Sequence, residues 1–246
     1  MRYFIDLAYR GAPFHGWQIQ PGDVSVQGTL EQALGVLLRQ PVPVVGAGRT
    51  DAGVNARLMV AHIDLPEGFD PCAGTFLRSL NSLTGPDIAV YSFRPVAPDA
   101  HARFDATERE YRYFVHTRKD PFACGLSWQA PADFDFEAMN RAGSLLLGRR
   151  DFSSFAKLHT DVKTNICDLR RAVWVRDSEF GWHFEIVADR FLRNMVRAVV
   201  GTLAIIGRGK MAPEDILAVL DARNRCSAGT SMPAGPLFLW RIEYPY

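Results

Sequence analysis

The stretch of sequence that most narrows the choice of fold is Gly46-Ala47-Gly48-Arg49-Thr50-Asp51-Ala52-Gly53. It follows a short apolar segment, Pro41 to Val45. It begins with the Gly-x-Gly of a dinucleotide-binding loop, but Asp51 occupies the third glycine position. A carboxylate at that position would repel a pyrophosphate, which argues against a Rossmann fold. The stretch also lacks the Gly-Lys-Ser/Thr sequence of a phosphate-binding P-loop. A nucleotide-binding fold is therefore not indicated.

The same loop places a carboxylate in a setting that suits chemistry. Three glycines within eight residues let another chain approach the backbone closely. Arg49 and Arg57 flank Asp51, and a nearby guanidinium favours the ionised form of a carboxyl group. An ionised carboxylate can act as a nucleophile or a base. The alternative is that Asp51 makes a turn or caps a helix, and spacing alone favours that alternative.

Strands and helices alternate on both sides of this loop. Apolar and aromatic patterns predict strands at Arg2 to Tyr9, Pro41 to Val45, Leu58 to Leu65, Ile88 to Phe93, Glu110 to His116, Leu169 to Val175, Trp182 to Val187 and Leu237 to Tyr244. Helical spacing predicts helices at Val26 to Leu38, Thr75 to Leu83, Phe136 to Leu147, Arg190 to Ile206 and Pro213 to Leu220. The pattern predicts two α+β halves related by an internal pseudo-repeat, residues 1–104 and 105–246.

Composition excludes several classes of protein. Of the 246 residues, 48% are hydrophobic and 22% are charged, which is typical of a globular protein with a core. No apolar run approaches the roughly 18 residues that span a bilayer. Asp6 lies where a signal peptide would need its apolar stretch, so we expect a cytoplasmic protein. The four cysteines have no Cys-x-x-Cys spacing and the six histidines are scattered, so we expect neither a metal nor a disulfide.

The distribution of charge indicates an anionic partner, although the formal net charge is only +1. Two basic clusters are present, one with Arg103, Arg109, Arg112, Arg118 and Lys119, the other with Arg190, Arg193, Arg197, Arg208 and Lys210. On the helix predicted from Arg190, residues 190, 193, 197 and 201 would form one stripe that reads Arg, Arg, Arg, Gly. Such a stripe can simply be solvated, but the absence of acids favours an anionic partner.

Aromatic residues beside these arginines are candidates for contact with RNA bases. In the strand that begins at Glu110, Tyr111 and Tyr113 point to one face and Arg112 to the other. Such rings can stack on a splayed-out base, although a packed sheet face is their commoner role. Trp17 could also contact RNA, but packing between secondary-structure elements is the favoured interpretation.

Together these segments resemble one family, the TruA-type tRNA pseudouridine synthases, nearly end to end. The matching segments are Tyr9-Arg10-Gly11, Phe14-His15-Gly16-Trp17-Gln18, Val26-Gln27, Leu30-Glu31, Ala33-Leu34, Gly48-Arg49-Thr50-Asp51-Ala52-Gly53-Val54, Ala102-Arg103-Phe104, Arg109-Glu110-Tyr111-Arg112-Tyr113, Asp151-Phe152-Ser153-Ser154-Phe155, Phe191-Leu192-Arg193-Asn194-Met195-Val196-Arg197, Gly201-Thr202-Leu203, Leu237-Phe238-Leu239 and Tyr244-Pro245. The Gly-Arg-Thr-Asp-Ala-Gly loop is highly specific for this family, and the Met-Val-Arg segment supports the match.

The resemblance implies a fold, an activity and a partner. The fold would be α+β, with two halves that share a curved, mainly antiparallel central sheet and a basic cleft between them. The activity would be isomerisation of uridine to pseudouridine at positions 38, 39 and 40 of the tRNA anticodon stem-loop. The enzyme would be a homodimer that binds tRNA across both subunits. The reaction has no net redox change, so no cofactor or metal is expected.

Functional residues of the family carry over to matching positions. Asp51 matches the catalytic aspartate, Tyr111 the tyrosine that stacks on the target base, and Arg197 the basic residue that pairs with the aspartate. Arg49 belongs to the signature loop and is expected to orient it or to bind phosphate. Further contacts with the substrate are expected from Arg103, Arg109, Arg190 and Arg193.

Three positions depart from the family pattern. Asn55 stands where the family usually has His, Asn194 where His or Gln is frequent, and Pro236 where Gly usually precedes the last strand. These departures concern the shape of loops and contacts with RNA, and they leave the reaction class unchanged.

Two other functions compete with the synthase. One is a non-catalytic RNA-binding or RNA-chaperone module on the same fold, and the other is a glycoside hydrolase, which would use two carboxylates. The signature loop offers one acid, Asp51, beside its arginines. For the synthase itself, the sequence leaves open whether this carboxylate attacks C1′ or C6 of the uridine or abstracts a sugar proton.

Overall fold

The computed structural model describes residues 1–157 and 164–246 and has the expected α+β class. The described strands are β1 (Arg2–Tyr9), β2 (Val45–Gly46), β3 (Asn55–Asp64), β4 (Ile88–Pro95), β5 (Glu108–His116), β6 (Trp128–Gln129), β7 (Gly148–Asp151), β8 (Ile166–Arg176), β9 (Gly181–Ala188) and β10 (Leu237–Glu243). The described α-helices are α1 (Val26–Leu38), α2 (Phe76–Thr84), α3 (Phe136–Leu145), α4 (Met195–Gly207) and α5 (Asp215–Asp221). None of these helices is long and apolar enough to cross a bilayer.

The described residues form two compact units, and the first consists of Met1–Thr107 with Leu239–Tyr246. Its strands lie in the order β4-β1-β3-β10, and β2 pairs with β3. The pairs β1–β3, β1–β4 and β2–β3 are antiparallel. Fully buried side chains on β1 and α1, among them Leu7 and Leu30, contribute to the core of this unit. Helix α1 begins where the Ser25 side chain accepts a hydrogen bond from the Gly28 N–H.

The strand predicted at Pro41 to Val45 is wrong in its extent, because only the two residues of β2 pair with β3. Pro41 and Pro43 have no N–H group to donate to a strand ladder. The N–H of Val44 donates instead to the Glu31 carboxylate on α1, at 2.9 Å. Helix α1 therefore holds the segment that leads into the Asp51 loop.

The second unit, Glu108–Phe238, contains strands in the order β5-β9-β8-β7, all antiparallel, with the short β6 parallel to β5. The hairpin predicted around residues 176–178 is confirmed as β8–β9. On this hairpin Trp174 and Phe184 pack with their ring centroids 5.1 Å apart, and Trp182 stacks on Phe136 of α3 at 4.0 Å. An aromatic core therefore joins α3 to the sheet.

The helix predicted at Arg190 to Ile206 is wrong at its start, because α4 begins only at Met195. The preceding residue, Asn194, has φ 67°, a left-handed conformation that an α-helix cannot contain but Asn tolerates. Arg190 and Arg193 therefore lie in a loop, and the predicted basic stripe is wrong. Most of α4 is buried, and a β carbon on Gly201 would overlap the carbonyl of the neighbouring segment at residue 230.

Candidate active site

Asp51 is half-buried in the loop between β2 and β3, and its backbone is held from two directions. The preceding residue, Thr50, is buried, and its hydroxyl forms a hydrogen bond with the hydroxyl of Tyr9 on β1, at 2.8 Å. The Thr50 carbonyl accepts a hydrogen bond from the Trp17 N–H at 3.2 Å. The backbone position just before the carboxylate is therefore fixed by β1 and by the loop that follows it.

The chain turns immediately after Asp51. The Val54 N–H donates to the Asp51 carbonyl at 3.1 Å, and Gly53 within the turn has φ 77°, which favours glycine. The interpretation of Asp51 as a turn residue is thus confirmed. This hydrogen bond uses the backbone carbonyl of Asp51. Asp51 can therefore form the turn through its backbone and take part in chemistry through its side chain.

The segment of residues 11–17 packs tightly against this loop. A β carbon on Gly16 would lie 2.5 Å from the Thr50 carbonyl oxygen, and Gly16 has φ 93°. A β carbon on Gly46 would lie 2.5 Å from the Trp17 ring, which is 3% exposed. The favoured role of Trp17, packing between elements, is confirmed. Both glycines permit a backbone approach that a larger residue would prevent.

Asn55 has a structural role that the sequence did not indicate. Its side chain is 2% exposed, and its amide oxygen accepts a hydrogen bond from the Gly11 N–H at 2.7 Å. A buried N–H group needs such a partner, because an unpaired one costs free energy. Asn55 therefore ties the far end of the Asp51 loop to the segment of residues 11–17.

Three arginines of the first unit are predicted to flank Asp51 or to contact the substrate. Arg49 lies on the Asp51 loop and is exposed. Arg57 is exposed on β3, and its Nη1 donates to the Tyr91 hydroxyl at 3.3 Å. Arg103 is exposed in the turn that precedes β5, where its guanidinium lies 5.7 Å from the ring centre of Phe104.

In the second unit, Tyr111 is half-buried on β5 opposite Ile186 of β9. Its ring meets that of Phe191 edge-on, with centroids 5.1 Å apart and an interplanar angle of 83°. Edge-to-face contact is a favourable aromatic geometry and restricts the orientation of both rings. The sequence pattern predicted Phe191 in a helix, but Phe191 lies in the loop before α4.

Tyr113 lies on the same face of β5 as Tyr111 and is fully buried. Its hydroxyl has no hydrogen-bond partner in the part of the chain that the structure describes. Burial raises the pKa of Tyr113 well above its ordinary value, while the positive charge of Arg197 acts in the opposite direction. Arg197 therefore lies close enough to Tyr113 for its charge to act on the phenol.

Arg197 lies in the first turn of α4 and is half-buried. Its Nε donates to the Met232 carbonyl at 2.6 Å, and the Met232 N–H donates to the Arg197 carbonyl at 3.1 Å. One turn earlier, the Asn194 side chain donates to the Ser231 hydroxyl at 2.7 Å. The segment of residues 231–232 thus fixes both the start of α4 and the guanidinium.

Two of the three remaining predicted arginines of the second unit contact Asp189, which follows β9. Arg109 donates through Nη1 to the Asp189 carbonyl at 2.7 Å, and the Arg190 N–H donates to the Asp189 carboxylate at 2.7 Å. Arg193 is exposed, and its carbonyl accepts from the Lys157 N–H at 2.9 Å. Arg109 and Arg190 are therefore brought together, although not on a helix.

Within residues 1–157 and 164–246, no three His, Cys, Asp or Glu side chains are arranged to hold a metal ion. The four cysteines at 72, 124, 167 and 226 are free thiols.

Comparison with known proteins identifies the family. Residues 142–245 match a family model described as tRNA pseudouridine synthase. Three similar relatives are each named tRNA pseudouridine synthase A, and the alignment covers 99% of this chain in every case. They come from Parabacteroides distasonis (54% identity, 96% of the relative), Bacteroides fragilis (52%, 96%) and Bacillus subtilis (37%, 99%). The chain belongs to the tRNA pseudouridine synthase A family. The resemblance first noted in the Gly48 to Val54 loop is thereby confirmed.

Proposed function

We propose that this chain converts uridine to pseudouridine at positions 38, 39 and 40 of the tRNA anticodon stem-loop, with Asp51 as the catalytic carboxylate. A member of the tRNA pseudouridine synthase A family is an isomerase that acts on uridine in tRNA. The observation that supports Asp51 is its fixed backbone, held by Thr50 before it and by the turn after it. A reacting group held in place avoids an entropic cost during the reaction.

The reaction breaks a C–N glycosidic bond, turns the uracil and forms a C–C bond. One ionised carboxylate can supply the nucleophile or the base that this sequence of steps requires. The reaction gains and loses no electrons overall, so it calls for positioning and charge rather than for a redox group. Asp51 is the only acid in the signature loop of residues 46–53.

Tyr111 is proposed to stack on the uracil and to keep it from escaping while it is detached. A stacking residue needs a defined ring orientation, and the edge-on contact with Phe191 supplies one. Exclusion of water by aromatic surfaces also protects a reactive intermediate. Phe191 would therefore act as a positioning residue for Tyr111.

Arg197 is proposed as the cation of the reaction centre. Its Nε hydrogen bond to the Met232 carbonyl fixes the plane of the guanidinium, which is a fork of donors suited to carboxylate or phosphate. A lysine at this position would keep the charge but lose the planar fork.

Contacts with the RNA backbone are proposed for Arg49, Arg103, Arg109, Arg190 and Arg193. A uridine in a stem must be flipped out before it reacts, which costs a few kcal/mol, and contacts with phosphates can offset that cost. We further propose that the protein acts on tRNA in the cytoplasm as a homodimer.

The test is Asp51→Asn, assayed on unmodified tRNA with pseudouridine mapped by carbodiimide labelling. Turnover should fall by about 10⁴-fold or more, as when a covalent catalyst is removed. Asp133→Asn is the matched control, because Asp133 is an exposed acid outside the loop, and it should remain active. Pseudouridine formation that persists in Asp51→Asn would remove Asp51 from the mechanism. Binding of tRNA without conversion by the unaltered chain would support a non-catalytic RNA-binding module instead.

A further inference from the structure

Phe104 exposes 73% of its side chain, in a turn formed by residues 101–105 that we call the Phe104 turn. An exposed phenylalanine costs free energy in water, since its apolar surface is not removed from the solvent. A single exposed ring is unremarkable on a loose loop, but the hydrogen bonds of this turn fix the backbone that carries the ring.

His101 organises the turn from within. Its Nδ1 accepts hydrogen bonds from the N–H groups of Arg103 and Phe104, at 3.1 and 3.3 Å. The backbone N–H of His101 donates to the Asp105 carboxylate at 2.6 Å. The Tyr246 hydroxyl donates to the same carboxylate at 2.8 Å. The donors of the turn are therefore satisfied locally, and its conformation is defined.

A second set of contacts fixes the turn to the core of the first unit. The Ala102 N–H donates to Nδ1 of the buried His62 at 3.1 Å, and the Tyr244 hydroxyl donates to the Ala102 carbonyl at 2.6 Å. Burial lowers the pKa of His62 to about 4. His62 is therefore neutral at physiological pH and keeps the ring nitrogen lone pair that accepts this hydrogen bond.

The rings of His62, His101 and Phe104 contact one another in that order, from the buried His62 to the exposed Phe104. The His62 and His101 centroids are 4.6 Å apart, and those of His101 and Phe104 are 4.2 Å apart with an interplanar angle of 35°. The Arg103 guanidinium lies 5.7 Å from the Phe104 ring centre. One face of Phe104 is thus backed by an imidazole, while most of the ring stays open to solvent.

We propose that Phe104 is a stacking platform for an unpaired nucleobase of the RNA substrate, with Arg103 contacting the adjoining phosphate. Unpaired bases are recognised by stacking on aromatic side chains, and nearby guanidinium groups neutralise the backbone. The backing ring and the tied turn hold the platform in place before RNA arrives, which reduces the cost of binding. A protein partner would instead be expected on a cluster of apolar anchors. The inference rests on the proposed function, because it assumes an RNA substrate.

The test measures equilibrium binding of the unmodified anticodon stem-loop RNA to variants of the full chain. Phe104→Ala and Phe104→Leu should weaken binding by about 5- to 150-fold, the range for loss of one base–aromatic stack. Phe104→Trp should retain it, because a larger ring still stacks. With 2-aminopurine at an unpaired position of the RNA, the unaltered chain should quench the fluorescence and Phe104→Leu should not.

Phe122 provides a matched control, since its side chain is 92% exposed in a short turn of residues 121–123 in the second unit. Phe122→Ala should bind the RNA as the unaltered chain does. The proposal is overturned if Phe104→Leu binds normally, or if both alanine variants lose affinity equally. A changed sedimentation mass for Phe104→Ala with unchanged RNA affinity would overturn it in favour of a protein interface. Because binding is measured without catalysis, failure of the proposed reaction would be seen separately as absent pseudouridine.

Discussion

The hydroxyl groups of Tyr9 and Thr50 form a buried hydrogen bond of 2.8 Å that joins β1 to the residue before Asp51. The two residues are 41 positions apart in sequence. Because the bond is buried, water cannot replace either partner when the other is removed. The position of the candidate catalytic carboxylate therefore depends on a strand far from it in the chain.

Tyr9→Phe should lower the free energy of unfolding by about 1–3 kcal/mol, because it leaves the Thr50 hydroxyl buried without this partner. It should also slow pseudouridine formation, since the backbone before Asp51 is less constrained. Urea unfolding and a single-turnover assay would measure the two effects. The double variant Tyr9→Phe/Thr50→Val removes both partners and should recover much of the stability. Strictly additive losses in this cycle would show that the hydrogen bond contributes nothing.

Gly16→Ala should disrupt the Asp51 loop more than Gly22→Ala does. Both glycines have positive φ, 93° and 83°, so both variants carry the backbone strain of an L residue in that region, about 1 kcal/mol. Only at Gly16 would the new β carbon lie 2.5 Å from the Thr50 carbonyl oxygen, while nothing lies within 4 Å at Gly22. The melting temperature and the rate of pseudouridine formation should fall further for Gly16→Ala. Equal effects of the two variants would mean that the loop adjusts without cost.

Tyr113→Phe should raise the free energy of unfolding, by about 1 kcal/mol, because it removes a buried hydroxyl that lacks a partner among the described residues. Tyr3→Phe should have the opposite sign, because the Tyr3 hydroxyl donates to the Phe69 carbonyl at 3.3 Å. Chemical unfolding of both variants would check the contrast. A stability loss in Tyr113→Phe would indicate that bound water satisfies its hydroxyl.

Stability should fall as the pH drops from about 6.5 to about 4, in part because of His62. Burial lowers the pKa of this imidazole from 6.5 to about 4 in the folded protein, with the charge of Arg2 adding to the effect. Within that window the unfolded state binds a proton that the folded state does not, so protons favour unfolding. His62→Gln, whose amide oxygen can still accept from Ala102, should flatten this part of the pH profile of urea unfolding. A pH profile of His62→Gln as steep as that of the unaltered chain would show that His62 is not the source.

Local patterns predicted the elements whose conformation depends on neighbours in sequence. The β8–β9 hairpin is an example, since alternating apolar residues on both sides of a short turn are sufficient to predict it. The predicted start of α4 was wrong because it depends on contacts with residues distant in sequence. Its helical spacing continues through Arg190 and Arg193, but the left-handed backbone of Asn194 and the contact of Phe191 with Tyr111 place those residues in a loop. Tertiary contacts overrode the local pattern.

Within the candidate site, residue types indicated the carboxylate and the aromatic ring but not what holds them. The turn at Asp51 followed from its glycines and from the turn preference of Asp. The bond from Gly11 to Asn55 joins residues 44 positions apart, and no single sequence contains a signal for such a pair. The sequence therefore indicates Asn55 only as a departure from the family pattern, although its side chain supports the loop.

The participation of Leu239–Tyr246 in the first unit has a consequence for biosynthesis. Residues 1–107 emerge from the ribosome first. Strand β3 gains its neighbour β10 only after the whole second unit has been translated. At ordinary rates of elongation that delay is on the order of ten seconds, during which the edge of β3 opposite β1 is paired only with the two residues of β2. Nascent chains of this protein should therefore be most dependent on chaperones in that interval, before the strand that closes the first unit has emerged.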